Sequence, residues 1–220
     1  MLCLVTDRRR LCPAGALDAA RRSVVEQVRC AVEARIDLVQ IRERDLAASV
    51  LFGLVSDVVQ LTRGTTTRVV VNDRLDVALA AGADGVHLRA DSLPPSAARS
   101  MAPAGFLVGR SVHHIDEAVG VAPAVDYLIA GMVFRSRSKP GADALLGVDG
   151  LAAIVRAVSV PVLAIGGMSI ERIGQIAEAG AAGVAAIGLF LGDRADGNCR
   201  ALVGVAETVR RRFDSVKTAS

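Results

Sequence analysis

Ala81-Gly82-Ala83-Asp84-Gly85-Val86-His87-Leu88 and, a hundred residues on, Ala179-Gly180-Ala181-Ala182-Gly183-Val184-Ala185-Ala186-Ile187 are the stretches that decide the fold. In each, a glycine ends a helix where positive φ is needed, and a short apolar run begins at once. Such a junction feeds a helix into the next strand of a βαβ unit. Outward from these two points the same alternation runs along the chain. Candidate strands are Leu2–Thr6, Leu38–Ile41, Arg68–Val71, Gly85–Leu88, Leu107–Ser111, Asp126–Gly131, Pro161–Ile165 and Gly183–Ile187. Candidate helices are Leu17–Ala34, Ala47–Thr62, Leu75–Ala81, Pro95–Met101, Ile154–Val158, Ser169–Ala179 and a closing Cys199–Phe213. Strands alternating with helices imply a parallel sheet. Eight repeats favour a closed barrel over an open sheet of six or seven strands. The expected architecture is α/β, a single (β/α)8 TIM barrel over residues 1–220.

Composition agrees. Hydrophobic residues make up 52% of the 220, yet aromatics are 3% and there is no Trp. The apolar content is therefore Ala, Val, Leu and Ile, which suits buried parallel strands under Ala-rich helices and argues against an all-β sandwich. Net charge is +3. Much of the basic excess sits in Arg8-Arg9-Arg10 and Arg210-Arg211-Arg212, which read as solvated surface. Neither stacking aromatics nor a binding module accompanies them, so no nucleic-acid partner is expected. Cys3, Cys12, Cys30 and Cys199 show no metal-binding spacing, and free thiols in a reducing compartment are expected. No apolar run is long enough for a bilayer, and the short apolar start meets Asp7 and three arginines. A cytoplasmic protein with no membrane partner follows.

In such barrels the chemistry sits where strands end. The second strand runs into Gln40-Ile41-Arg42-Glu43-Arg44, and a period of two puts Gln40, Arg42 and Arg44 on one side, facing the axis. Paired guanidinium donors suit phosphate oxygens. The third strand runs into Asn72-Asp73, where Asp73 could hold Mg2+ and Asn72 orient a polar substrate; a helix cap is the competing reading. The fourth gives His87, then Arg89, Asp91 and Ser92, and the fifth ends in Ser111-Val112-His113-His114. His113 is the attractive acid-base, since imidazole titrates near neutrality. Met132–Gly147 has no strand or helix period but carries Arg135, Ser136, Arg137, Ser138 and Lys139, and reads as a phosphate clamp or lid. Gly166-Gly167 and Ile187-Gly188 close the seventh and eighth strands, where backbone N–H groups can approach a phosphate.

Together these motifs resemble the thiamine phosphate synthase and TenI family. The resemblance spans nearly the whole chain, from Leu4-Val5-Thr6-Asp7 to Gly183-Val184-Ala185-Ala186-Ile187. Its most specific parts are Gln40 to Arg44, Asn72-Asp73 with the following Arg74-Leu75-Asp76-Val77-Ala78-Leu79-Ala80, and Gly82 to Leu88. Ser111-Val112-His113, Val133-Phe134 with Ser136-Arg137-Ser138-Lys139, and Ala164-Ile165-Gly166-Gly167 add to it. The family implies two chemistries. Its synthases join hydroxymethylpyrimidine diphosphate to thiazole phosphate and release diphosphate, with Mg2+. The resemblance then implies that Gln40, Arg42, Arg44, Asn72 and Lys139 bind the pyrimidine diphosphate and Asp73 holds the metal. Ser136, Ser138, Gly167 and Gly188 would receive phosphate groups, with Ser111, Gly166 and Ile187 also lining the substrate site. The alternative is a TenI-like thiazole tautomerase, metal-free, with His113 as acid-base. A third reading is a barrel that binds thiamine precursors without turnover. Partners on the first two readings are phosphorylated small molecules, and a homodimer is compatible with the family.

The sequence departs from the synthase pattern at identifiable places. Arg44 stands where Lys is usual, and Ser136 and Ser138 stand for threonines. Gly188 stands where Ser is common. The usual Gly-Gln-x-Asp after the fourth strand is Arg89-Ala90-Asp91-Ser92, so the second metal-binding Asp falls on Ser92 and Asp91 comes one position early.

Overall fold

Apolar runs of four to six residues, rich in Val, Leu, Ile and Ala and punctuated by helix-ending glycines, form strands too short to twist far. The computed structural model describes residues 1–135, 145–191 and 199–217. Its strands are β1 (Leu2–Val5), β2 (Leu38–Ile41), β3 (Arg68–Asn72), β4 (Gly85–Leu88), β5 (Leu107–Val112), β6 (Tyr127–Gly131), β7 (Val162–Ile165) and β8 (Gly183–Ala186). Each pairs in parallel with the next, and β8 returns to β1 through Leu2 opposite Val184, which closes the barrel. Gly82 and Gly180 do have positive φ, 68° and 80°.

Around the barrel, among the described residues, lie α1 (Arg8–Leu11), α2 (Leu17–Glu33), α3 (Ala48–Thr62), α4 (Leu75–Ala80), α5 (Pro95–Met101), α6 (Ile115–Val121), α7 (Gly147–Ala157), α8 (Ile173–Glu178) and α9 (Arg200–Lys217). The short helices α1 and α6 were not expected, and α7 starts seven residues before Ile154. Two glycines, Gly147 and Gly150, disguise its first turns, but Leu151 and Ile154 at i and i+3 are fully buried against the sheet. The expected helix from Ser169 instead begins with a 3-10 turn, Ile170–Arg172, before α8. None of the helices among the described residues is long and apolar enough to cross a membrane.

Alternation divides the strands between two cores. Outward residues such as Leu4, Val39, Val71, Val86 and Leu128 pack against the helices. Inward residues Cys3, Val5, Leu38, Val70, Tyr127, Ile129, Leu163 and Ala185 fill the barrel. Each fully buried Val, Leu or Ile contributes about 1.5–3 kcal/mol. The one large aromatic inside the barrel, Tyr127, fits because β5 has a glycine beside it. A Cβ on Gly109 would lie 2.1 Å from the tyrosine ring.

Two expectations are corrected here. Cys30 of α2 and Cys199, just before α9, are joined by a disulfide rather than left as free thiols. The two are 169 residues apart in sequence, so spacing carries no signal of the pairing. Cys3 is a free thiol sealed in the barrel, with burial pushing its pKa up, and Cys12 is also free. The tract Arg8-Arg9-Arg10 is not uniformly solvated either. Arg9 is 73% exposed, but Arg8 is 12% exposed and ion-paired, and Arg10 turns to the mouth of the barrel.

Gly109→Ala should destabilise the protein by about 1–3 kcal/mol, the usual range for overpacking. Combined with Tyr127→Leu, it should recover part of that loss. Urea unfolding of both variants checks this, and a neutral single substitution would mean the ring does not fill the barrel.

Candidate active site

The C-terminal ends of the strands open onto one cavity of about 910 Å3. Strand alternation brings Gln40 to it from β2 and Arg42 from just beyond the strand's end, Asn72 from β3, His87 from β4 and Ser111 from β5. Arg44, Asp91 and His113 reach it from loops, as do Gly166, Gly167, Ile187 and Gly188 after β7 and β8. Arg10, Arg89, Arg135 and Arg172 line it too. Thus six arginines face the cavity against one carboxylate, Asp91. Ser136, Ser138 and Lys139 lie outside the described residues.

The β2 wall is braced from behind. Glu43 points away from the cavity and is buried, where its carboxylate accepts from Thr6 Oγ1 (2.8 Å), Arg8 N (3.0 Å) and Arg8 Nη1 (3.1 Å). Burial pushes the Glu43 pKa up, and those three donors oppose the shift. Thr6 Oγ1 in turn accepts from Arg42 N at 2.9 Å. Arg8 also forms two 2.6 Å bonds with Asp45. These contacts tie the loop after β1 to the loop carrying Arg42 and Arg44. Desolvation first, and the neighbouring Arg44 second, lower the Arg42 pKa, yet a guanidinium stays charged.

Gln40 Nε2 donates to Asn72 Oδ1 at 2.9 Å. The Asn72 Nδ2 is buried with no partner among the described residues, a donor available to a ligand. At the barrel floor His87 sits between the Tyr127 hydroxyl, 3.2 Å from Nδ1, and Ser111 Oγ, 2.8 Å from Nε2. Complete burial, helped by Arg110, pulls the His87 pKa down to about 3, so the ring is neutral and orients Ser111. His113 donates from Nδ1 to the Gly131 carbonyl, since a carbonyl can only accept. In the neutral ring this leaves Nε2 as the basic nitrogen. At the opposite wall Arg172 donates to the Gly167 carbonyl at 2.5 Å and lies 4.6 Å over the Phe134 ring. Arg10 comes within 3.5 Å of the place a Cβ would take on Gly188.

The expected metal residues are not gathered. Asp73 has φ 62° and does not line the cavity. Its Oδ2 is 3.5 Å from Arg89 Nη1, while Arg89 Nη2 pairs with Asp91. Ser92 is outside the lining as well.

Residues 2–190 match the sequence profile of the family described as thiamine monophosphate synthase. The chain belongs to that family. A thiamine-phosphate synthase from Methanoregula boonei is 36% identical over 89% of this chain and 88% of its own length. One from Roseiflexus castenholzii is 35% identical over 86% of this chain and 80% of its own. The solved thiamine phosphate pyrophosphorylase from Pyrococcus furiosus superposes with a TM-score of 0.79 at 31% identity, covering 98% of this chain and 96% of that one. Gln40, Arg42 and Arg44 all line the cavity, Arg44 being itself a departure from the synthase pattern, and the loop after β4 carries another, Arg89-Ala90-Asp91-Ser92. Sequence reasoning missed Arg10 and Arg172 as lining residues. A basic tract directly after a strand was the available signal for Arg10; Arg172 sits in a 3-10 turn that looked like ordinary helix.

Because His87 is held neutral at a pKa of about 3 and an unfolded His titrates near 6.5, its contribution is complete above about pH 6.5 and is lost as pH falls toward 3. Between pH 7 and 5 the wild type should lose about 2 kcal/mol more stability than His87→Gln. Urea unfolding at the two pH values measures the difference. Equal slopes would show that the ring is not buried in its neutral form.

Proposed function

We propose that this chain is a thiamine phosphate synthase, a transferase that joins hydroxymethylpyrimidine diphosphate to thiazole phosphate and releases diphosphate. The observation that carries the reading is the ratio of six arginines to one carboxylate around a single cavity, which suits substrates bearing three phosphate groups between them. Gln40 and the unpartnered Nδ2 of Asn72 offer polar contacts to the pyrimidine. Arg42 and Arg44 stand beside them to hold the diphosphate. As the bond to the pyrimidine methylene breaks, negative charge grows on the leaving diphosphate, and fixed guanidinium groups stabilise it without reorganising. At the other end, Gly166, Gly167 and Gly188 present backbone near Arg10 and Arg172, and thiazole phosphate is assigned there. Lys139, Ser136 and Ser138 remain candidates for the phosphates from the family pattern alone.

Mg2+ was the expected cofactor at Asp73, with Asp91 or Ser92. The residues as arranged do not form a dication site. Arg89 occupies the space between the two carboxylates. Among the described residues, three His, Cys, Asp or Glu ligand atoms converge within 4.8 Å around Glu26 and the Cys30–Cys199 disulfide, not at Asp73. One Asp73 oxygen is buried without a donor, but a cation there would meet the guanidinium at once. No step is therefore routed through a metal.

His113, with Nε2 basic and its ring at the cavity, favours a second reading as a tautomerase that shifts a proton on a thiazole carboxylate phosphate. The proposed setting is the cytoplasm, since phosphorylated substrates do not cross bilayers unaided.

Purified protein supplied with both substrates should yield thiamine phosphate, detected by oxidation to fluorescent thiochrome. Arg42→Ala should lower kcat/KM at least about tenfold, as loss of charge-assisted hydrogen bonds does. His113→Asn should cost the synthase only a few-fold. No product, with proton exchange that His113→Asn abolishes, would assign the tautomerase. Substrate binding with neither reaction would leave the non-catalytic reading.

A further inference from the structure

The loop after β4 presents a guanidinium where the family pattern led to the expectation of a metal. Arg89 lines the cavity, with Nη1 3.5 Å from Asp73 Oδ2 and Nη2 on Asp91 Oδ2. We infer that Arg89 is the resident cation of the diphosphate subsite, held in place by Asp73 and Asp91, so that diphosphate binds this protein without a divalent metal. The inference rests on the synthase reading for its ligand class.

Four observations support it. Asp73 is fixed in direction: its backbone adopts φ 62° and its N–H donates to the His87 carbonyl at 2.9 Å, which turns the carboxylate to Arg89 rather than into the cavity. The loop carrying Arg89 is braced on its far side by Arg110, which donates to the Ala90 carbonyl at 2.7 Å and the Leu93 carbonyl at 2.9 Å. Ser92 contributes its backbone N–H to the Arg89 carbonyl at 3.1 Å, tightening the turn. Finally, a guanidinium has five N–H donors. Asp91 accepts from one, and Asp73 lies 3.5 Å from Nη1 as an ion pair, which leaves the others among the described contacts for phosphate oxygens. Arg42 and Arg44 line the same cavity as Arg89, so the three can share one anion. A dication placed against Asp73 would sit beside this whole cluster and be repelled. A guanidinium steadied by two carboxylates brings one charge and offers planar paired donors that match diphosphate geometry.

The test is calorimetric titration of chelator-treated protein with inorganic pyrophosphate. Wild type should bind with no divalent ion present. Arg89→Ala should weaken binding at least tenfold, and Arg89→Lys should recover part of the loss by restoring charge without the fork. Asp73→Asn keeps a residue type that tolerates positive φ, so the loop survives. If Asp73 only positions Arg89, pyrophosphate affinity in this variant should change no more than a few-fold. Titration of wild type with Mn2+ alone should show no saturable site. The double variant Arg89→Gly with Ser92→Asp should acquire one. Pyrophosphate binding by wild type only when Mg2+ is added would overturn the inference, as would unchanged affinity in Arg89→Ala or complete loss in Asp73→Asn. The thiochrome assay separates the two claims. Product that forms only with Mg2+ keeps the synthase and removes the resident cation. Metal-free, Arg89-dependent pyrophosphate binding with no thiamine phosphate keeps the cation and removes the synthase.

Discussion

Eight parallel strands closed in sequence order leave no freedom about which side chains meet. With a side-chain period of two, a slip of one residue in any strand would carry its polar C-terminal residue out to the helices and an apolar one onto the axis. The register excludes it. Asn72 sits opposite His87, and side-chain hydrogen bonds join Gln40 to Asn72 and His87 to Ser111, so the polar ends of β2 to β5 meet at one cavity. The packing beneath them secures that meeting point. Tyr127 fills the interior only because Gly109 has no side chain, and its hydroxyl then meets His87. The ring of Gln40, Asn72, His87 and Ser111 is thus a consequence of how the barrel is filled.

Gathering arginines on such a ring is unfavourable by itself, and apart from Asp91, which pairs with Arg89 at the cavity, the compensation is placed behind the wall. Glu43, one residue from Arg42, is turned to the outside of the barrel and bound by Thr6 and Arg8. Asp45 holds Arg8 and Arg9. Asp73 takes one side of Arg89 without entering the cavity. Negative charge at this remove steadies the guanidinium groups while leaving six arginines against one carboxylate on the cavity side. A cavity so built is incomplete without an anion.

The parts of the protein that follow a local period were legible in the sequence. All eight strands fall within one or two residues of the expected ends, because each apolar run is bounded by a turn or a polar residue. Gln40, Arg42, Asn72 and Ser111 reach the cavity for the same reason. Features set by contacts between distant segments were not legible. The Cys30–Cys199 disulfide spans 169 residues, and α1 and α6 are too short to show a helical period. Loop residues fared worst. No periodicity says where Asp73 or Asp91 points once the strand has ended, and Asp73 in fact departs from the extended path at φ 62°. Arg10 was hidden in a tract whose members take three different environments.

On the proposed assignment of thiazole phosphate to the β7 and β8 end of the barrel, the synthase and tautomerase readings would use that end alike. They differ in what the β2 to β4 wall must do. A proton shift needs one base near the substrate and a dry cavity; His113 with its Nδ1 committed to Gly131 is enough for that. Displacement of diphosphate needs fixed positive charge on the opposite wall. Three guanidinium groups line it there, Arg42, Arg44 and Arg89, and burial first, then Arg44 and Arg89, lower the Arg42 pKa. That gathering of charge has no use in a tautomerase, whose substrate carries its phosphate at the far end. A wall of this kind is sensible only where diphosphate binds. The charges lining the cavity therefore weigh for the synthase, independently of the likeness to its relatives.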